Sequence, residues 1–175
     1  MTQRIRRVLA IGIMAVAACA GALPALAQGR EFLGGFRDWD AFLERKGKGE
    51  KTCYMISVPK DTAPKNVNRG EIYLIVTHWP QAKIKSQINV VVGYPLKKDS
   101  EVTMIIDNKP YRMFTDGDRA WAYDAKQDLE MAAAMKKGSS VVVKGVSQRG
   151  TETTDRYSLA GFTAAHNAIT QSCNN

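Results

Sequence analysis

The sequence is poor in the residues that build most catalytic and metal centres. It has two histidines, His78 and His166, far apart in the chain, and no Cys-x-x-Cys pair. A protein-built metal site needs several nitrogen, sulfur or carboxylate ligands at close spacing, so no metal or cofactor is expected. Nucleotide binding is disfavoured too, since "KGKGEKT" (46–52) lacks the spacing of a phosphate-cradling loop. "GVSQRG" (145–150) departs from Gly-x-Ser-x-Gly and stands in a strand-like setting, not at a strand-to-helix elbow. "DGD" (116–118) offers too few oxygens for calcium and reads as a hairpin turn. No catalytic residue is therefore expected. Each histidine reads singly, His78 near a strand end and His166 at a helix edge. The alternative is a periplasmic hydrolase using His78 or His166 with nearby acids.

Long apolar runs are equally scarce. One occurs, Val8 to Leu23, preceded by Arg4, Arg6 and Arg7 and followed by Pro24 and the small-x-small site Ala25-Leu26-Ala27. That order is a secretory signal peptide over residues 1–27, implying export to the periplasm or beyond. Val16-Ala17-Ala18-Cys19 also fits a lipoprotein signal. On that alternative Cys19 is lipidated and the protein is tethered to the outer membrane. Residues 28–35 read as a flexible lead-in and 36–175 as one domain.

Acidic residues are outnumbered, 17 against 25 basic, for a net charge of +8. Removing the signal leaves +5. For an exported chain such an excess points to anionic envelope surfaces and not to nucleic acid. The candidate binding loops are Arg45, Lys46, Lys48 and Lys51 in one group and Lys97 and Lys98 in another. The simpler reading leaves these groups scattered and solvated. The partner would be a protein or an anionic envelope polymer.

Cysteine is limited to three residues. With Cys19 lost or lipidated, Cys53 and Cys173 remain. In an oxidising compartment two thiols most simply form a disulfide, with two free thiols as the alternative. The bond would close a loop of 120 residues, stabilising by up to about 5 kcal/mol on the chain-entropy account.

What is abundant is short β-patterned segments separated by turn residues. Strands are expected at 36–44, 52–59, 70–80, 86–96, 101–107, 111–116, 119–124, 139–147 and 151–159. Two helices are expected at about 126–137 and 160–172. The first has Asp128 and Glu130 early, Lys136 and Lys137 late and Gly138 beyond. The second aligns Phe162, Ala165, Ile169 and Cys173 on one face. Eight or nine short strands with two helices describe an all-β, two-sheet sandwich. Trp39, Trp79 and Trp121 all fall within strands, so packing is their expected role in place of sugar stacking.

A series of blocks carries a resemblance: "CYMISVPK" (53–60), "RGEIYLIVTHWP" (69–80), "GYPLKKDSEV" (93–102), "DGDRAWA" (116–122), "AMKKG" (134–138) and "RGTETTDRYSLAGFTAAHNAI" (149–169). In this order they resemble the invasion associated locus B family of exported proteobacterial proteins, over about residues 36 to 173. Arg156 stands where that pattern usually has threonine. The resemblance implies an immunoglobulin-like β-sandwich. It also implies a non-enzymatic envelope role, in host interaction or envelope integrity, and it carries over no catalytic residue.

Overall fold

The computed structural model describes residues 29–174. The expected signal peptide and Cys19 lie outside the described residues, as does the side chain of Lys48. Eleven strands run β1 (Gly29–Phe36), β2 (Trp39–Lys46), β3 (Glu50–Ser57), β4 (Asp61–Ala63), β5 (Tyr73–Trp79), β6 (Ile84–Val91), β7 (Glu101–Ile106), β8 (Lys109–Asp116), β9 (Arg119–Trp121), β10 (Ser140–Val146) and β11 (Glu152–Ser158). The helices are α1 (Ala125–Lys137) and α2 (Phe162–Asn174). The chain is thus all-β in class with two short helices, as its pattern predicts.

The strands form one antiparallel sheet in the order β1-β2-β3-β5-β6-β9-β8-β7-β10-β11-β4. Period-two alternation decides which face each strand buries. In β7, Val102, Met104 and Ile106 point inward, and in β10 Val141 and Val143 do so. The sheet curls until its distant strands meet, which gives the sandwich-like form. Asp38 N donates to Ala160 O at 3.2 Å and Trp39 Nε1 to Ser158 O at 3.0 Å, tying the start of β2 to the end of β11. Lys60 N likewise donates to Arg156 O at 2.7 Å and carries the chain from β3 across to β4.

Both helices pack on the inner side, α1 on β6 and β7 and α2 on β1, β2, β3 and β5. Helix α1 begins where Asp124 accepts from Gln127 N at 2.7 Å, and Lys136 and Lys137 occupy its last turn. Phe162 of α2 meets Trp39 edge-on with centroids 5.0 Å apart. The chain before α2 can take this path because Gly161 has φ +92°, and a Cβ there would lie 1.7 Å from Phe36 O.

Four local expectations are corrected. Of the lead-in 28–35, expected to be flexible, residues 29–35 belong to β1, paired to β2 through a bulge between Phe32 and Gly34. The interrupted pattern "EFLGG" hides that strand, because the glycines sit at the bulge. The expected strand 36–44 is therefore a hairpin turn followed by β2. The expected polar loop 60–69 contains β4, and the expected strand 86–96 ends at Val91.

Candidate functional site

The helices leave the other side of the β1-β2-β3-β5-β6 region uncovered. Pairing across the strands aligns two outward rows there. One runs Phe32, Phe42, Tyr54, Thr77, Gln87 and the next Asp40, Ile56, Ile75, Asn89, Trp121. Strands β3 and β5 are thus apolar on both faces. Their inner residues Met55, Leu74 and Val76 are buried in the core, while Tyr54, Ile56, Tyr73 and Ile75 are half-buried on the outside.

Arg30 of β1 lies over this surface. Its guanidinium carbon is 5.8 Å from the ring centroids of both Phe42 and Tyr54, close enough for cation–π attraction. Those rings stack on one another at 5.3 Å and 19°, and Phe32, 59% exposed, tilts against Phe42. A cavity of about 750 Å³ follows, floored by Ile56, Ile75 and Val91 between Arg30 and Arg119. Glu71 and Asp118 sit at the Arg119 end. Tyr54 Oη is sealed from solvent beside the Arg30 guanidinium, and Asn89 Nδ2, on the second outward row, is buried without a hydrogen-bond partner among the described residues.

A second cavity of about 540 Å³ adjoins the first across Gly93, Tyr94 and Pro95, with Asn68, Gln148 and Arg149 on its wall. Its floor is a rigid polar knot. Arg69 forks onto both carboxylate oxygens of Asp155 at 2.7 and 2.6 Å and donates twice more to Val92 O. Tyr94 packs its ring 5.0 Å from the same guanidinium, and its hydroxyl lies 2.5 Å from Thr153 Oγ1. Every buried charge in this knot is therefore paired.

The two histidines are a correction to the single-residue reading. They meet under α2, both buried. Ser86 N donates to His78 Nδ1 at 2.9 Å, His78 Nε2 lies 3.0 Å from Thr170 Oγ1, and His166 Nε2 lies 2.9 Å from Ser86 Oγ. Burial, aided by the charge of Lys136, pulls both imidazoles down to about 4, so they are neutral at neutral pH. Their hydrogen-bonding groups are hydroxyls and one backbone N–H. Buried Asp128 accepts instead from Ile88 N at 2.7 Å, and burial raises its carboxyl to about 6.

The expected disulfide is present. Cys53 of β3 is bonded to Cys173 of α2, their Cα atoms 5.9 Å apart, and Cys53 pairs directly across the ladder with His78. The candidate basic loops occupy opposite ends of the sheet. Arg45, Lys46 and Lys51 flank the β2–β3 turn, with Arg45 paired to Glu31, whereas Lys97 and Lys98 follow the far end of β6. The register cannot bring the two groups together. Trp39 is buried, Trp121 half-buried on an outward row and Trp79 exposed.

Sequence reasoning missed the open face. Its one visible signal was the continuous apolar run of β5, which reads as a strand buried on both sides. Arg30 lay in a segment read as unstructured.

Fold and site together define a disulfide-closed antiparallel β protein whose helices cap one side of a curled sheet and leave an aromatic surface on the other. The model of the invasion associated locus B protein family matches residues 39–170. The chain therefore belongs to that family. Neither curated proteins nor solved structures give a match. The sequence blocks that carry the resemblance fall on the framework: Arg69 and Asp155 form the buried ion pair, Phe162 packs edge-on against Trp39, and Gly161 makes the close crossing.

Proposed function

We propose that the protein is a non-enzymatic component of the bacterial envelope. It is exported by its amino-terminal signal and makes contact with a protein or surface polymer through the open face of the β1-β2-β3-β5-β6 region. Its physiological setting is host interaction or envelope integrity. The observation that carries this reading is Arg30 lying over Phe42 and Tyr54 on a face that neither helix covers. Aromatic and arginine side chains at the centre of an exposed apolar patch are the usual anchors of a contact surface.

The hydrolase alternative has the Ser86–His166 contact in its favour, since 2.9 Å is a nucleophile-to-base distance. Against it, Thr170 stands where an orienting carboxylate would be needed, and all of these groups lie beneath a helix fastened by the disulfide. Substrate access would require α2 to lift away.

Site-specific photocrosslinking in the native envelope tests the contact reading. A crosslinker at Phe32 should give discrete adducts with an envelope or host-surface partner, and one at the exposed Leu129 of α1 should not. Equal yields at both positions would overturn it. Edman or mass analysis of the mature chain, showing Gln28 or an acylated Cys19 at its start, tests the route of export.

A further inference from the structure

The open face differs from a general contact patch in how its charge and apolar surface are arranged. Its floor is aliphatic, made by Ile56, Ile75 and Val91. Its two ends differ. At one end Arg30 is exposed, with Glu44 opposite it on β2 but, among the described residues, no carboxylate within ion-pair distance. At the other, Arg119 is accompanied by Asp118 and Glu71. An anionic group is favoured at the first end and nearly neutral at the second. Beside Arg30, the Tyr54 hydroxyl is sealed from solvent against the guanidinium, so the exposed guanidinium is the polar group this end presents.

The aromatic geometry narrows the ligand class further. Phe42 and Tyr54 turn their faces toward each other. Stacking uses one face of each ring, and Phe32 and Arg30 crowd the pair further, so it offers no flat platform for a sugar ring. What remains is one cation and a hydrocarbon trough. Its volume of about 750 Å³ is within the range of roughly 300–1,000 Å³ found for small-molecule sites.

From this juxtaposition we infer that the open face binds a single-chain anionic amphiphile, with the headgroup on the Arg30 guanidinium and the hydrocarbon chain along Ile56, Ile75 and Val91. The inference rests on the reading that this face is the contact surface, and it names the chemistry that face would select. The headgroup gains a charge-assisted hydrogen bond, and the chain gains burial that neither group obtains alone.

Calorimetric titration of the purified protein with dodecyl phosphate below its micelle concentration tests this. Dodecanol serves as the neutral control and inorganic phosphate as the headgroup alone. Saturable binding is expected for dodecyl phosphate, weaker binding for dodecanol and none for inorganic phosphate. Arg30→Gln should weaken dodecyl phosphate binding about tenfold or more, the usual weight of a charge-assisted bond. Ile75→Ser should weaken both amphiphiles together, and Arg149→Gln in the adjoining cavity should change neither. Equal affinity for the neutral and anionic amphiphiles, or an unaffected Arg30→Gln variant with its fold intact by circular dichroism, would overturn the site. No amphiphile binding alongside Phe32 crosslinks would also overturn it, while leaving the contact reading in place. Amphiphile binding without any macromolecular crosslink would remove the contact role and support the ligand site.

Discussion

His78 and His166 meet edge to face with ring centroids 5.0 Å apart, one imidazole supplied by β5 and the other by α2. They join the helix to the sheet beside the disulfide. The pair favours neutral rings, because two imidazolium ions at this distance would repel each other and burial disfavours each charge.

This sets a direction for acid sensitivity. Each histidine lies near 4 in the folded protein, against an ordinary value of 6.5. The unfolded chain therefore takes up protons first as the pH falls. Stability from this source is complete above pH 6.5 and is lost progressively toward pH 4, by roughly 3 kcal/mol per histidine at most. Urea midpoints at pH 7, 5.5 and 4.5 should fall in that order, and His78→Gln/His166→Gln should flatten the series. A wild-type midpoint independent of pH would contradict the burial argument.

Asp128 acts in the opposite sense. Its folded value of about 6 lies above the ordinary 3.8, so its contribution is present below pH 3.8 and is lost as the pH rises through 6. Asp128→Asn keeps an acceptor for Ile88 N without the buried charge. The variant should be more stable than the wild type at pH 8 by about 1–2 kcal/mol, after allowance for partial solvation. The advantage should shrink as the pH falls toward 3.8.

The disulfide gives a coupling prediction. Cys53→Ser and Cys173→Ser each remove the same bond, so each should cost about 2–5 kcal/mol. The double variant should cost little more than either alone. Calorimetric unfolding of the three variants measures this, and additive losses would contradict a shared bond.

The Arg69–Asp155 pair is nearly sealed, with side chains 7% and 1% exposed. Asp155→Ala strands a buried guanidinium and should cost about 3–5 kcal/mol. Arg69→Met with Asp155→Leu removes both charges and should recover much of that loss. Thermal unfolding of single and double variants distinguishes a lost charge partner from lost packing.

Gly161→Ala should be among the most damaging small substitutions, lowering stability by several kcal/mol. The new Cβ would meet Phe36 O at 1.7 Å, in a backbone conformation with φ +92°. Collapse of amide-exchange protection in α2 and the β1–β2 hairpin together would locate the damage.

Much of this architecture is legible in the linear pattern. Alternation in "EVTMII" and "SVVVKGV", the Asp-Gly turn at Asp116 and the charge order of α1 are local signals. Strand or helix identity depends on neighbours a few positions away, and those neighbours are in the sequence. The Cys53–Cys173 bond was legible for another reason: with Cys19 in the expected signal, two cysteines remain to pair.

Other features depend on curvature. β1 exists because β2 offers an edge and Gly34 absorbs a bulge, not because "GREFLGGF" insists on a strand. His78 and His166 read as isolated side chains until the curl of the sheet and the docking of α2 bring them together. Arg30 belongs to no motif, and its meaning comes from Phe42 and Tyr54 beneath it. The sequence by itself determined most of the elements, their class, the family and the covalent closure, since each is written in short-range pattern or in residue counts. The tertiary structure alone decided which sheet face stays open and which polar groups meet. Those outcomes depend on packing between segments whose separation in the chain carries no local trace.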